Sequence, residues 1–136
     1  MKTNLSILCV ILGMGLILST TPGCSTTEES AYDIRGDWTF TYNWAWSGTT
    51  ICTIRFTGST ASGTTYHVQQ GLSGTYTVAG SNLSFTFVTT EPPCGQITES
   101  FLGSFTSPDT LSGTWSADAT GPCMFEPMDS WTATRI

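Results

Sequence analysis

The chain has 136 residues, a formal net charge of −6, only 10% charged residues and an aromatic share of 12%. That length allows one domain beyond whatever the N-terminus carries, and a composition rich in Thr, Ser and Gly favours short strands and turns over helices. Beyond Cys24 there is no Lys and only Arg35, Arg55 and Arg135, so the basic footprint that nucleic acid demands is missing.

Lys2 precedes an apolar run from Leu5 to Leu18, the core of a signal peptide and too short to span a bilayer comfortably. The run ends in Ser19-Thr20-Thr21-Pro22-Gly23-Cys24. Gly23-Cys24 after such a core resembles the lipobox of bacterial lipoproteins, which implies acylation of Cys24 as the first mature residue. Cleavage nearby and ordinary secretion is the alternative. Ser25 follows in place of a retention Asp, which points to the outer membrane, facing the periplasm or the cell surface. Residues 1–23 are thus expected to be the signal, 24–34 a lipidated Cys with a polar tether, and 35–136 the folded domain.

Strand one is expected over Gly36–Trp46. Trp38, Phe40, Tyr42, Trp44 and Trp46 recur at a period of two, with Asp37, Thr39, Thr41, Asn43 and Ala45 between them. Strand two, about Thr50–Thr57, carries Cys52, Ile54 and Phe56 on one face. Strand three, about Thr64–Gln70, is expected to turn Tyr66 and Val68 inward and His67 outward. Strand four (Ser73–Ala79) carries Tyr76 and Val78, and Gly80 follows in a hairpin turn. Strand five (Leu83–Thr89) aligns Leu83, Phe85 and Phe87. After the Pro92-Pro93 loop, strand six (Gln96–Thr106) aligns Ile97, Glu99, Phe101, Gly103 and Phe105. Strand seven (Leu111–Ala117) aligns Leu111, Gly113, Trp115 and Ala117. Strand eight (Ser130–Arg135) carries Trp131, Ala133 and Arg135.

Eight short strands with short connections and no crossover helix point to an all-β fold with antiparallel neighbours. An eight-stranded up-and-down barrel removes both sheet edges and is the expected architecture, with a β-sandwich as the alternative. Leu72-Ser73-Gly74-Thr75-Tyr76 recurs as Leu111-Ser112-Gly113-Thr114-Trp115, a short internal echo.

Gly36-Asp37-Trp38 heading the first strand resembles the Gly-x-Trp signature of the calycin superfamily, which includes lipocalins and avidins. Trp131-Thr132-Ala133-Thr134-Arg135 looks like the avidin ending. The resemblance implies Arg135 packed across Trp38 at the closed end as a structural pair, and strand directions in an eight-strand meander bring the same two residues together. Overall the chain is similar to small lipocalin-like bacterial lipoproteins. Avidin's biotin contacts have no match here, so biotin is not implied.

Cys52, Cys94 and Cys123 remain after the signal and the lipidation site are set aside, an odd number for an oxidising compartment. All three fall near the rim opposite Trp38. Cys94–Cys123 is the favoured disulfide, leaving Cys52 buried and free, with Cys52–Cys94 as the alternative. Three Cys plus His67 match no zinc-site spacing, and no metal or cofactor is expected.

Strand direction sends Trp44, Trp46, Phe87, Ile97, Glu99, Trp115 and Trp131 toward the same rim. Such a mouth suits a small apolar or aromatic ligand, with Glu99 fixing a polar or cationic group. Against this, an eight-stranded barrel is just wide enough for side chains to fill it. A solid barrel with a structural or protein-interaction role is therefore the second hypothesis, in which Glu99 simply reaches the rim and water. No nucleophile motif or close carboxylate pair points to an enzyme.

Overall fold

The structure, a computed structural model, describes residues 32–44, 48–125 and 129–136. The expected signal, Cys24 and most of the tether lie outside the described residues, as do Trp46 and the side chain of Trp44. Eight strands follow in order: β1 (Gly36–Trp44), β2 (Gly48–Gly58), β3 (Ser62–His67), β4 (Leu72–Ala79), β5 (Asn82–Glu91), β6 (Gly95–Ser107), β7 (Thr110–Ala119) and β8 (Asp129–Arg135). Each pairs antiparallel with its sequence neighbours, and β1 also pairs with β8, from Trp38↔Arg135 to Tyr42↔Trp131. The sheet is a closed up-and-down barrel with no free edge, which removes the sandwich alternative.

Seven of the eight strands keep the inward face read from their aromatic alternation. β3 is the exception. Its Thr65 and His67 are buried, while Tyr66 and Val68 are about 40% exposed at 41% and 40%, so the expected inward pair faces out and His67 faces in. The cause lies in the neighbours. Tyr76 of β4 leans over Gly63, where an added Cβ would come within 2.8 Å of the ring, and Phe87 meets the His67 ring at 5.8 Å. Only small or mid-sized groups fit that inner face. Tyr66 instead pairs laterally with Arg55 on the outside. The strand also stops at His67, because Gly71 N donates to His67 O at 2.8 Å and the chain turns there.

The middle of the barrel is filled by rings. Phe101 is the hub: it stacks on Phe85 at 4.6 Å and on Trp115 at 6.1 Å, and meets Phe40, Tyr42 and Phe87 edge-on. Offset and edge-on pairs of this kind add about 0.5–1.5 kcal/mol each beyond area burial. This layer is solid, as an eight-stranded interior allows.

The closed end is capped by the chain's own start. Tyr32 stacks on Phe105 at 4.6 Å, and Trp38 Nε1 donates to Ile34 O at 2.7 Å. The Arg135 guanidinium lies 4.6 Å over the Trp38 ring. It donates to Arg35 O at 2.7 Å, to Asp33 O, and to Asp109 Oδ1 at 3.0 Å. Gly36 takes φ 114° beside that guanidinium, a conformation that strongly favours glycine. The Gly-x-Trp signature therefore reads as one device: a backbone kink, then an indole laid under an arginine.

Candidate functional site

The opposite end is open. There β1 finishes, β2 begins, and the loops after β3, β5 and β7 converge. A cavity of about 500 Å³ opens at this mouth. Its walls come from Tyr42 of β1, Thr50 of β2, Leu72 of β4, Glu91 of β5, and Ile97 and Glu99 of β6. Gln70 and Thr89 complete the described part of the rim.

Glu99 sits where it does because β6 alternates without a break. Ile97, Glu99 and Phe101 are successive inward positions, and Glu99 pairs with Phe87 on one side and Ala117 on the other. Phe101 fills the barrel directly below. The carboxyl is thus held between a floor of rings and the open mouth, and the residue is 6% exposed. Its Oε2 is buried with no hydrogen-bond partner. Burial, with a smaller push from the Glu91 carboxylate, raises its pKa to about 7.

Three other titratable side chains lie inside the open half of the barrel. Cys52 is buried and free, and burial pushes its thiol up to about 11. Tyr42 hydrogen-bonds Cys52, and burial drives its phenol well above the ordinary range. His67 accepts a hydrogen bond at Nδ1 from Gln70 N at 3.3 Å, its Nε2 has no partner, and burial lowers its pKa. All three are neutral at pH 7.

The residues expected at the mouth therefore separate. Glu99 and Ile97 line the cavity. Phe87, Trp115 and Trp131 do not appear in its described lining; they are buried in the ring layer. Trp131 packs on Phe40 at 4.9 Å and donates its Nε1 to Thr114 O at 2.9 Å. Trp115 lies against Tyr42 at 5.3 Å. Cys94 and Cys123 form the disulfide that ties the β5–β6 loop to the β7–β8 connection at this rim, with Cα atoms 4.9 Å apart. Among the described residues, no group of three His, Cys, Asp or Glu is placed to hold a metal ion.

Tyr42 belongs to the expected inward aromatic face but not to the residues expected at the mouth, and Thr50, Gln70, Leu72, Thr89 and Glu91 are the lining residues that the hydrophobic pattern passed over. Parity would have found four of them: Thr50 in phase with Cys52, Leu72 in phase with Tyr76, and two more on β5. Counting on from the inward Phe87 gives Thr89 and Glu91, in phase but polar, at the level where the barrel opens.

Comparison of the chain with protein-family models, with curated proteins and with solved structures found no match.

Proposed function

We propose that this protein is a binding barrel, tethered to a membrane through a lipid on Cys24, that takes one small ligand with an apolar body at its open end. The observation that carries the reading is the cavity at the mouth, floored by a buried carboxyl with an unpartnered oxygen. A volume of about 500 Å³ lies within the range of small-molecule sites, roughly 300–1,000 Å³. Leu72, Ile97 and the Tyr42 ring offer apolar wall, and Glu99 offers one oriented polar group. Binding is favoured over catalysis because, among the described residues, the His67 ring takes its hydrogen bond from a backbone amide and not from a nucleophile or a carboxylate.

The filled ring layer favours a second reading, a structural or protein-interaction barrel with no ligand. Titration of tryptophan fluorescence with the neutral fluorophore N-phenyl-1-naphthylamine and with 2-phenylethylamine separates the two. The binding reading expects a saturable change with at least one probe, removed by Leu72→Trp, which fills the mouth. No saturable change with either would sink it. The tether rests on the Gly23-Cys24 sequence alone. Intact mass of the mature protein tests it: a diacyl or triacyl increment on a chain beginning at Cys24 is expected, and an unmodified N-terminus at another residue would end the proposal.

A further inference from the structure

The charged residues are sorted along the barrel axis. At the closed half every described charge is paired: Asp33 with Arg35 at 2.6 Å, Asp37 with Arg55 at 2.7 Å, and Asp109 with Arg135 at 3.0 Å. These three arginines are all the cationic side chains among the described residues. The open half holds Glu91, Glu99, Asp118 and Asp129, and no described Lys or Arg stands near them. β7 carries Asp118 opposite Thr98, and β8 starts with Asp129 opposite Trp115, so both surround the same mouth.

This asymmetry has a point of convergence. Glu91 and Glu99 line the cavity, and Glu99 Oε2 is buried without a partner. The neutral Tyr42, Cys52 and His67 supply no positive charge from inside. A buried carboxylate without a counter-charge is costly, and a ligand that brings the counter-charge removes that cost on binding. Among the described residues, no third His, Cys, Asp or Glu joins the two carboxylates to hold a metal ion. A single ammonium with a short apolar body fits both the charge and the wall.

We propose that the open-end cavity selects organic monocations, namely small amines whose ammonium group hydrogen-bonds to Glu99 while the apolar part lies against Leu72, Ile97 and Tyr42. This deepens the binding reading and rests on it. The acidic rim of Glu91, Asp118 and Asp129 raises the local concentration of such cations and speeds their entry, an effect that salt screens.

A matched set of probes tests the selection on the full-length protein at pH 8: 2-phenylethylamine, its neutral isostere 2-phenylethanol, and the anion 3-phenylpropionate. Affinities are read from tryptophan fluorescence and checked by calorimetry. The amine is expected to bind at least tenfold more tightly than the alcohol, and the anion more weakly than either. In Glu99→Gln the amine should lose that advantage, with the alcohol changing less than threefold. Glu91→Gln should reduce the salt dependence of amine binding while leaving most of the preference. If the alcohol or the anion binds as well as the amine, cation selection is wrong and the binding barrel stands. If none of the three binds and N-phenyl-1-naphthylamine also fails, both ideas fall together. The wild-type comparison decides the matter even where a variant does not fold.

Discussion

Glu99 gives the site its chemistry and also makes the protein's stability depend on pH. In the folded chain its proton leaves near pH 7, whereas the ordinary value is 4.5. Between those values the folded state holds a proton that the unfolded state has released. Stability from this group is therefore complete below about pH 4.5 and falls as pH rises through 7. Above that the cost levels off at about 3 kcal/mol, from ~1.4 kcal/mol per pK difference of one. Glu99→Gln is accordingly expected to stabilise the empty protein by roughly 2–3 kcal/mol at pH 8 and by little at pH 4.5. Urea denaturation at the two pH values measures this; an equal gap at both would show that the carboxyl is not desolvated. His67 works in the opposite sense, since burial lowers its pKa and acid below about 6.5 costs stability there, but it is common to both variants and cancels. Sequence alternation located Glu99 because β6 is long and regular. It could not show that the carboxyl lacks a partner, which depends on what β5 and β7 place beside it.

At the level of elements, alternation was legible wherever one face held rings and the other Thr or Ser, as in β1, β5 and β6. It misled at β3, where Tyr66 and Val68 outrank Thr65 and His67 in hydrophobicity yet face outward. The competing influence is volume, since Phe85, Phe87 and Tyr76 already occupy that wall. The echo between Leu72–Tyr76 and Leu111–Trp115 likewise has a local meaning. The two stretches run in opposite directions along the barrel, so they are not a repeat of the fold. Both place a glycine inward where the sheet bends tightly: a Cβ at Gly74 would come 1.9 Å from Thr86 O, and one at Gly113 would come 2.0 Å from Leu102 O. At Gly113 the same Cβ would also press on Trp131 Cζ2 at 2.7 Å, and the cross-strand partner there is a second glycine, Gly103. Gly113→Ala is expected to cost about 1–3 kcal/mol by overpacking, with the Trp131 emission shifted. A thermal melt unchanged from wild type would mean that the bend relaxes freely.

For the molecule as a whole, closure is made at one place, where β8 returns to β1 and Arg135 gathers the carbonyls of Asp33 and Arg35, the Asp109 carboxylate and the Trp38 face. Charge-assisted bonds of this sort contribute about 1.5–3 kcal/mol each, and a lysine cannot reproduce the planar fork. Arg135→Lys should therefore lower stability by about 2–4 kcal/mol in urea, with ligand affinity at the far end unchanged; a variant as stable as wild type would show that Trp38 and Ile34 close the barrel unaided. The same cap fixes how the chain arrives. Tyr32 to Arg35 cross the closed end, so the anchor proposed on Cys24 would attach to that end through eight residues, which reach at most about 29 Å when fully extended. If Cys24 carries the proposed lipid, the barrel is held by its closed base, and the mouth is the end away from the attachment point. The cavity would then open on the side away from the anchor, toward what is dissolved in the surrounding water.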